Sequence, residues 1–590
     1  MIQFALNRRC TIIIAEMENQ EFANIFWEIA ELLELKEDNP FKIRAYRKAA
    51  QIIESLSKNI EDIYSAGNTK ALMAIPGIGQ HIAEKIEEQI KTGKVLAHQK
   101  LGKQFPKGFL ELAKIQGMGP KTALLLYKKL KIDSIEKLEQ AAKSGKLAKL
   151  PGFGAKKAAN ILRGIDLKKK SHGRFLLDDA TAHAELIVEE LKKLKEVKKI
   201  LPCGSLRRGK ETIGDIDILV VSDKPKNIMD KFTQLFAVKD VLAHGATKSS
   251  VILRNGMQAD LRVVPEKSFG SASHYFTGCK GHNIHLRQLA QKSGWKVSEY
   301  GIFKGDKQIG GKTEEEMFRK FGLQYIPPEL RETRGEFAAA AKGKIPKLVE
   351  QQDIKGDLHM HTKATDGANT IEEMALAAKK LGYEYIAITD HTKSTRVAGG
   401  LDEKEMIKHV RAIREANNKV SGIKILAGAE VDILPDGTLD YSDAMLQQFD
   451  VVLAAIHSNF KMPKKEMTAR VIKALSNKYV NILVHPTGRL LNERDPYELD
   501  MEAVLKAARK NHKMIEINAH PKRLDLTDVY CQRAKELGVK LSIATDAHSI
   551  DQLTLMKYGV ITARRGWLEK KDIINTESVA KLIKLLYTMR

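Results

Sequence analysis

Residues 203–221 read Cys-Gly-Ser-Leu-Arg-Arg-Gly-Lys-Glu-Thr-Ile-Gly-Asp-Ile-Asp-Ile-Leu-Val-Val. The alternating end predicts a buried strand, whose period of two puts Asp215 and Asp217 on one face and Ile216 and Ile218 on the other. Two carboxylates side by side at a strand end repel each other unless a cation lies between them. Two divalent ions about 3.5–4 Å apart would let one activate a hydroxyl nucleophile and the other hold a triphosphate and its leaving group. A third ligand is expected, and Asp260 in the strand-like run Gln258-Ala259-Asp260-Leu261-Arg262-Val263-Val264 supplies it. Gly204, Ser205 and Arg208, with Gly214 at the strand entrance, are placed to bind phosphate oxygens.

A second set of reactive side chains lies near the other end. From residue 356 onward short apolar runs alternate with Lys- and Glu-bearing helical stretches, which predicts a β/α barrel. Its strands end in His359 and His361, Asp390 and His391, Glu430, His457, His485, and Asp546 and His548. Barrel active sites lie at that face. Six strands cannot comfortably bury this much imidazole and carboxylate unpaired, so a metal cluster is expected, and mixed imidazole and carboxylate ligation suits Zn or Mn.

A third pattern repeats through the first 165 residues. Gly77 and Gly79, Gly117 and Gly119, and Gly152 and Gly154 each form a Gly-x-Gly turn between two helical stretches, the second bearing Lys85, Lys121, or Lys156 and Lys157. Such turns leave successive backbone N–H groups open at a helix N-terminus, a geometry suited to a phosphate oxygen. Three in series resemble helix-hairpin-helix motifs, which grip the nucleic-acid backbone without reading its sequence.

The elements that must position these groups need several domains, since 590 residues exceed what one core supports. The expected order is an extension (1–16), an N-terminal helical domain with the first hairpin (17–98), a helix-hairpin-helix subdomain (99–170), a domain bearing the three aspartates (171–264), a subdomain bearing Tyr275 and Asn283 (265–330), a linker (331–355) and the barrel (356–590). An amphipathic helix starts only after Met17, with Phe22, Ile25, Phe26, Ile29, Leu32 and Leu33 at helical spacing; the residues before it read as an upstream start or loose extension. No run approaches the roughly 18 apolar residues of a membrane span, and four scattered cysteines fit a reducing, cytoplasmic setting. Of the net charge of +24, residues 1–350 carry +19 and residues 351–590 carry +5, which points to a polyanionic partner for the first part.

The Gly-Ser-x-Arg-Arg opening joined to Asp215-x-Asp217 resembles the nucleotidyltransferase palm. Tyr275-Phe276-Thr277-Gly278, followed by a helix with Asn283 and Arg287 on one face, is similar to the family X DNA polymerase motif that bounds the deoxyribose and contacts the nascent pair. The stretch 41–50 with the first hairpin resembles the small amino-terminal domain of that family. There a lysine after the hairpin forms a Schiff base at an abasic site; Lys85 matches it, although His81 stands where animal members carry another lysine. Residues 356–590 resemble the PHP domain. That resemblance implies nine ligands for three metals: His359, His361, Asp366, His391, Glu430, His457, His485, Asp546 and His548. The whole then implies a monomeric polymerase that uses Mg or Mn and dNTPs on gapped or primer-template DNA, with helical hairpin domains, a palm and thumb, and a distorted TIM-like barrel acting as a 3′–5′ exonuclease with Mn or Zn. A 3′-phosphatase, or a structural scaffold, is the alternative role for the barrel.

Overall fold

The computed structural model describes residues 19–36, 38–54, 56, 59–75, 77–105, 112, 118, 120–147, 150, 153–154, 158, 161–162, 165 and 174–588. The extension 1–16, Gly117, Gly119, Gly152, Lys156, Lys157 and the Lys121 side chain lie outside the described residues. Contacts divide the chain into two compact units, 1–170 and 171–590.

The first unit is helical. Phe22, Phe26, Ile29 and Leu33 fall on one stripe of the helix Asn19–Leu35 and are buried in one core with Tyr46, Ala49, Ala50 and Ile53 of the helix Pro40–Glu54. The first hairpin turn joins Ile60–Met73 to Gln80–Thr92. Gly77 has φ +97°, and a Cβ there would meet Ile52 Cδ1 at 2.6 Å, so both the backbone and the close approach to the helix Pro40–Glu54 require glycine. Gly79 is the N-cap of Gln80–Thr92, and Gly154 in the third turn has φ +57°.

The second unit begins with a five-stranded sheet in the order Lys199–Pro202, Asp215–Val221, Gln258–Val264, Lys248–Leu253, Val238–His244. Only the second and third of these run parallel, and their register sets Asp217 beside Asp260. Ile216, Ile218 and Val220 point away from the carboxylates into a core shared with the helices Leu177–Lys192 and Pro225–Thr233. The helices Phe269–Thr277, Lys280–Lys292 and Glu314–Lys320 follow, with a three-stranded antiparallel sheet between the last two.

The stretch 331–355, expected as a linker, is packed rather than loose. Arg331 is fully buried against Glu314, the short helix Glu336–Ala341 buries Glu336 and Phe337, and Val349 belongs to the barrel core. Its Ala-rich composition and Pro346 read as a tether because the partners that bury it are remote in sequence.

Seven parallel strands then run in sequential order: Gly356–Asp357, Tyr385–Ile388, Lys424–Asp432, Val451–Ala455, Ile482–Leu483, Met514–Asn518 and Leu541–Ala544. A parallel bridge between Met360 and Ala547, with His361 N–H donating to the Ala547 carbonyl at 2.8 Å, brings the first and last together in a nearly closed barrel. It has seven strands where a TIM barrel has eight. Helices such as Ile371–Lys380 and Glu403–Lys419 start at capping boxes on Thr370 and Asp402, so chain direction and register are set locally at each crossover.

Candidate functional site

In the palm, the parallel register brings together what the sequence spacing separated by 43 residues. Burial, with Asp215 and Asp260 as neighbours, pushes the Asp217 carboxyl up to about 7. Burial and Asp260 also raise that of Asp215. Two carboxyls that resist ionising, with the Asp260 carboxylate beside them, form a site that suits a positive partner. Lys248 approaches Asp260 at 3.2 Å, and the Gln258 amide donates to the same carboxylate at 2.9 Å. Gly204 packs under Asp217: it has φ +63°, and a Cβ there would lie 2.3 Å from Asp217 Oδ2.

Ser205 and Arg208 lie on the turn that Gly204 begins, and Gly214 directly precedes Asp215 with its Cα facing Arg174. Arg208 is already engaged: its Nε donates to Glu332 at 2.9 Å and its Nη1 to the Thr277 carbonyl at 2.5 Å. Its neighbour Arg207 grips Glu314 at 2.6 and 3.0 Å, and Arg331 joins the same carboxylate at 2.6 Å. Burial works against ionisation of Glu314, yet Arg331 and Arg207 outweigh it and hold the carboxyl near 2. Sequence reasoning missed Glu314, Arg331 and Glu332, since nothing in periodicity marks a charge that will be buried. Tyr275 is 37% exposed, edge-on to Phe276. Gly278 has φ +70° with Arg208 Nη1 beside its Cα. Asn283 donates to the Tyr275 carbonyl at 2.7 Å, which ties it to the aromatic pair's backbone, and Arg287 Nε donates to the Asn283 carbonyl one turn back at 3.3 Å. In the helical unit, Lys85 pairs with Glu88 at 2.7 Å.

In the barrel, all nine residues carried over by resemblance converge at the C-terminal ends of the strands. Eight of them form three overlapping groups of potential ligands: His361, Asp366, His391 and His548; His359, His361 and Asp546; His391, Glu430 and His457. His485 Nε2 reaches Glu430 Oε1 at 2.8 Å, and His457 Nε2 reaches it at 3.2 Å. Glu430 Oε2 faces His391 at 3.0 Å and both His359 and His361 at 3.4 Å. That oxygen is buried without a hydrogen bond, as are His361 Nδ1, His391 Nδ1 and His485 Nδ1. Burial raises the Glu430 carboxyl, but the imidazoles of His391, His457 and His359 outweigh it and hold it well below the usual range. Burial and His391 lower His361 to about 4, and burial with Arg523 does the same to His485. Against burial, Glu430 and Asp432 instead raise His457 to about 10, and Asp366 and Asp546 raise His548 to about 9, so carboxylates and imidazoles compete here for positive charge, and the mixed donor set fits divalent cations.

An outer ring holds this set in place. His359 Nδ1 pairs with Glu516 Oε1 at 2.7 Å, His457 Nδ1 with Asp432 Oδ1 at 3.2 Å, and Asn518 donates to Asp546 at 3.2 Å. Such partners fix the tautomer and orientation of ligating imidazoles. Glu516 and Asn518 come from the one strand that sequence reasoning gave no functional residue.

Sequence profiles of known families divide the chain as the geometry does. A helix-hairpin-helix domain matches residues 17–95, a SAM-like helix-hairpin-helix tandem 109–166, the DNA polymerase beta palm 177–290, the DNA polymerase beta thumb 272–332, and the PHP domain 357–520. The "DNA polymerase/3'-5' exonuclease PolX" of Bacillus subtilis (strain 168) is 40% identical over 567 residues, 95% of this chain and 98% of the relative. The chain belongs to the PHP-bearing family X DNA polymerases. Two partial likenesses fit the halves of this family X polymerase. A protein of Thermoanaerobacter sp. (strain X514) named "Probable phosphatase" is 29% identical over 232 residues, 38% of this chain and 90% of the relative. DNA polymerase lambda of Rattus norvegicus is 24% identical over 357 residues, 54% of this chain and 58% of the relative.

Proposed function

We propose that this family X polymerase fills short gaps in DNA during repair and trims 3′ ends at its PHP site. The observation that carries the reading is the trio Asp215, Asp217 and Asp260 on paired parallel strands, facing the turn of Gly204, Ser205 and Arg208 and the aromatic pair Tyr275 and Phe276. Two Mg or Mn ions fit that trio, and three Mn or Zn ions fit the nine-residue cluster. When bound, divalent cations supply the Lewis acidity that eases deprotonation of a hydroxyl or water and neutralises charge on phosphate. The chain's own residues do the rest. The three aspartates would hold the cations against the reacting phosphate and the primer hydroxyl, Tyr275 bounds the sugar, and the Gly-x-Gly turns hold the DNA backbone. In the barrel, Glu430 stands between the donor groups, and Glu516 and Asp432 orient His359 and His457.

No described helix is long and apolar enough to cross a membrane. A monomer working in the cytoplasm on gapped or primer-template DNA fits this and the basic charge of residues 1–350. The deciding experiment follows a 5′-labelled gapped duplex with and without dNTPs. Asp215→Ala should abolish extension and leave mononucleotide release intact, while His359→Ala or Glu430→Ala should do the reverse. Release of inorganic phosphate from a 3′-phosphorylated end, with no mononucleotide from a 3′-hydroxyl end, would make the PHP domain a phosphatase instead.

A further inference from the structure

The palm and the barrel are joined at a loop that also reaches the metal cluster. Residues 519–525 follow the strand Met514–Asn518. Leu524 takes φ +41°, an uncommon conformation for a branched residue, and its side chain belongs to the palm's apolar cluster with Ile213, Ile216 and Ala259. The backbone of the same loop is gripped by Arg489, whose Nε donates to the Arg523 carbonyl at 2.8 Å and Nη2 to the Leu524 carbonyl at 2.5 Å. The guanidinium also forks onto Glu211 of the palm, at 2.7 and 3.3 Å. Glu211 lies only four residues before Asp215. Asp525 accepts from the N–H and the hydroxyl of Thr487 at 2.8 and 2.9 Å, which ties the loop to the segment bearing Arg489. Held in this way, Arg523 brings Nε to 3.6 Å from Asp546 Oδ2 while its side chain stays one-fifth exposed at the mouth of the cluster.

We propose that Glu211 and Arg489 are positioning residues for the hydrolytic site: through them and Leu524 the polymerase palm holds Arg523 beside the metal cluster, where its guanidinium receives a phosphate of the DNA end. A planar fork of N–H donors matches phosphate oxygens, but only when its backbone is fixed, because a long side chain on a free loop loses the geometry. Arg489 is 8% exposed and its three acceptors come from both domains, so the barrel alone supplies only part of what orders the loop. The inference rests on the hydrolytic reading of the PHP site.

Two measurements on the full-length protein separate the inference from that reading. The first is mononucleotide release from a 3′-hydroxyl duplex with Mn. Arg489→Met should lower kcat/KM on the order of tenfold or more, mainly through KM, with bound metal per chain unchanged. Glu211→Gln should move it in the same direction by less. In an Arg523→Ala background, Arg489→Met should add little, because both act through one guanidinium. Full activity of Arg489→Met, or an undiminished further loss in the Arg523→Ala background, would overturn the proposal. The second is hydrogen exchange of the amides of residues 520–525, which needs no activity. Arg489→Met should speed it while the barrel strands stay protected. Unchanged exchange in the loop would refute the anchoring even if the wild-type protein proved to release no nucleotides, a result that would instead count against the hydrolytic reading.

Discussion

Asp217 is a carboxyl that the fold makes hard to ionise, because burial and its neighbours Asp215 and Asp260 push it up to about 7 from an ordinary 3.8. A carboxyl raised in the folded state holds its proton there more tightly than in the unfolded chain. Its contribution to stability in metal-free protein is therefore fully present below about pH 4 and is lost as the pH rises toward 7. Asp217→Asn removes that repulsion. In EDTA at pH 8 the variant should be more stable to urea than the wild type by about 1–2 kcal/mol, less than the whole shift converts to because water relaxes around the site, and the difference should vanish near pH 4. The same substitution should abolish dNTP incorporation; extension at a tenth of the wild-type rate would remove Asp217 from the metal-binding trio. A side chain that costs stability and is kept for chemistry is expected at a functional site.

At the level of elements, the turn that begins at Gly204 and the strand Asp215–Val221 are fitted to each other with no room for a methyl group. Gly204→Ala would place a Cβ 2.3 Å from Asp217 Oδ2 in a backbone conformation that favours glycine, so the carboxylate or the turn must move. Incorporation should fall about a hundredfold, the scale expected when reacting groups are misplaced by about 1 Å, with excision unchanged in the same preparation. In the barrel, Glu516→Gln should weaken Mn or Zn binding about ten- to a hundredfold in a metal titration, since it removes the carboxylate that orients His359. These two residues also mark what the sequence disclosed. Gly204 was legible because it stands inside a compact motif whose residues meet through a single turn and strand. The strand-end histidines were legible because six strands repeat one pattern. Glu516 was not, because Met514-Ile515-Glu516-Ile517-Asn518 alternates like any ordinary strand and only the barrel closure turns that carboxylate inward. The ion pairs of Glu314 with Arg207 and Arg331 were hidden for the same reason, as they join positions 107 and 17 residues apart. The seat of Leu524 in the palm core, likewise, depends on a domain contact that no local pattern encodes.

Across the whole molecule, charge and function are distributed unevenly. Residues 1–170 form a compact unit of their own and hold 30 Lys and Arg against 19 Asp and Glu, a net +11, yet they contain neither the aspartate trio nor the metal-ligand cluster. The chemistry sits in 171–590, whose two catalytic regions share ion pairs such as the largely buried Arg565 with Glu332 and the half-exposed Glu211 with Arg489. Under the proposed function the first unit is a sequence-blind grip on DNA, and the second carries the chemistry. Backbone N–H groups and lysines contact phosphates that are alike along a duplex, so binding releases counterions and weakens with salt. Full-length protein should bind gapped DNA with a log–log salt slope of about −4 or steeper, the value given by four to five neutralised phosphates. A protein of residues 171–590 should bind the same DNA more weakly and with a shallower slope, while still incorporating dNTPs and excising nucleotides at saturating DNA. Fluorescence anisotropy between 50 and 200 mM salt measures both quantities, over roughly the range in which such slopes are read. Equal slopes for the two proteins would place the DNA grip in the palm and barrel, and would leave the Gly-x-Gly turns as connections within the helical unit.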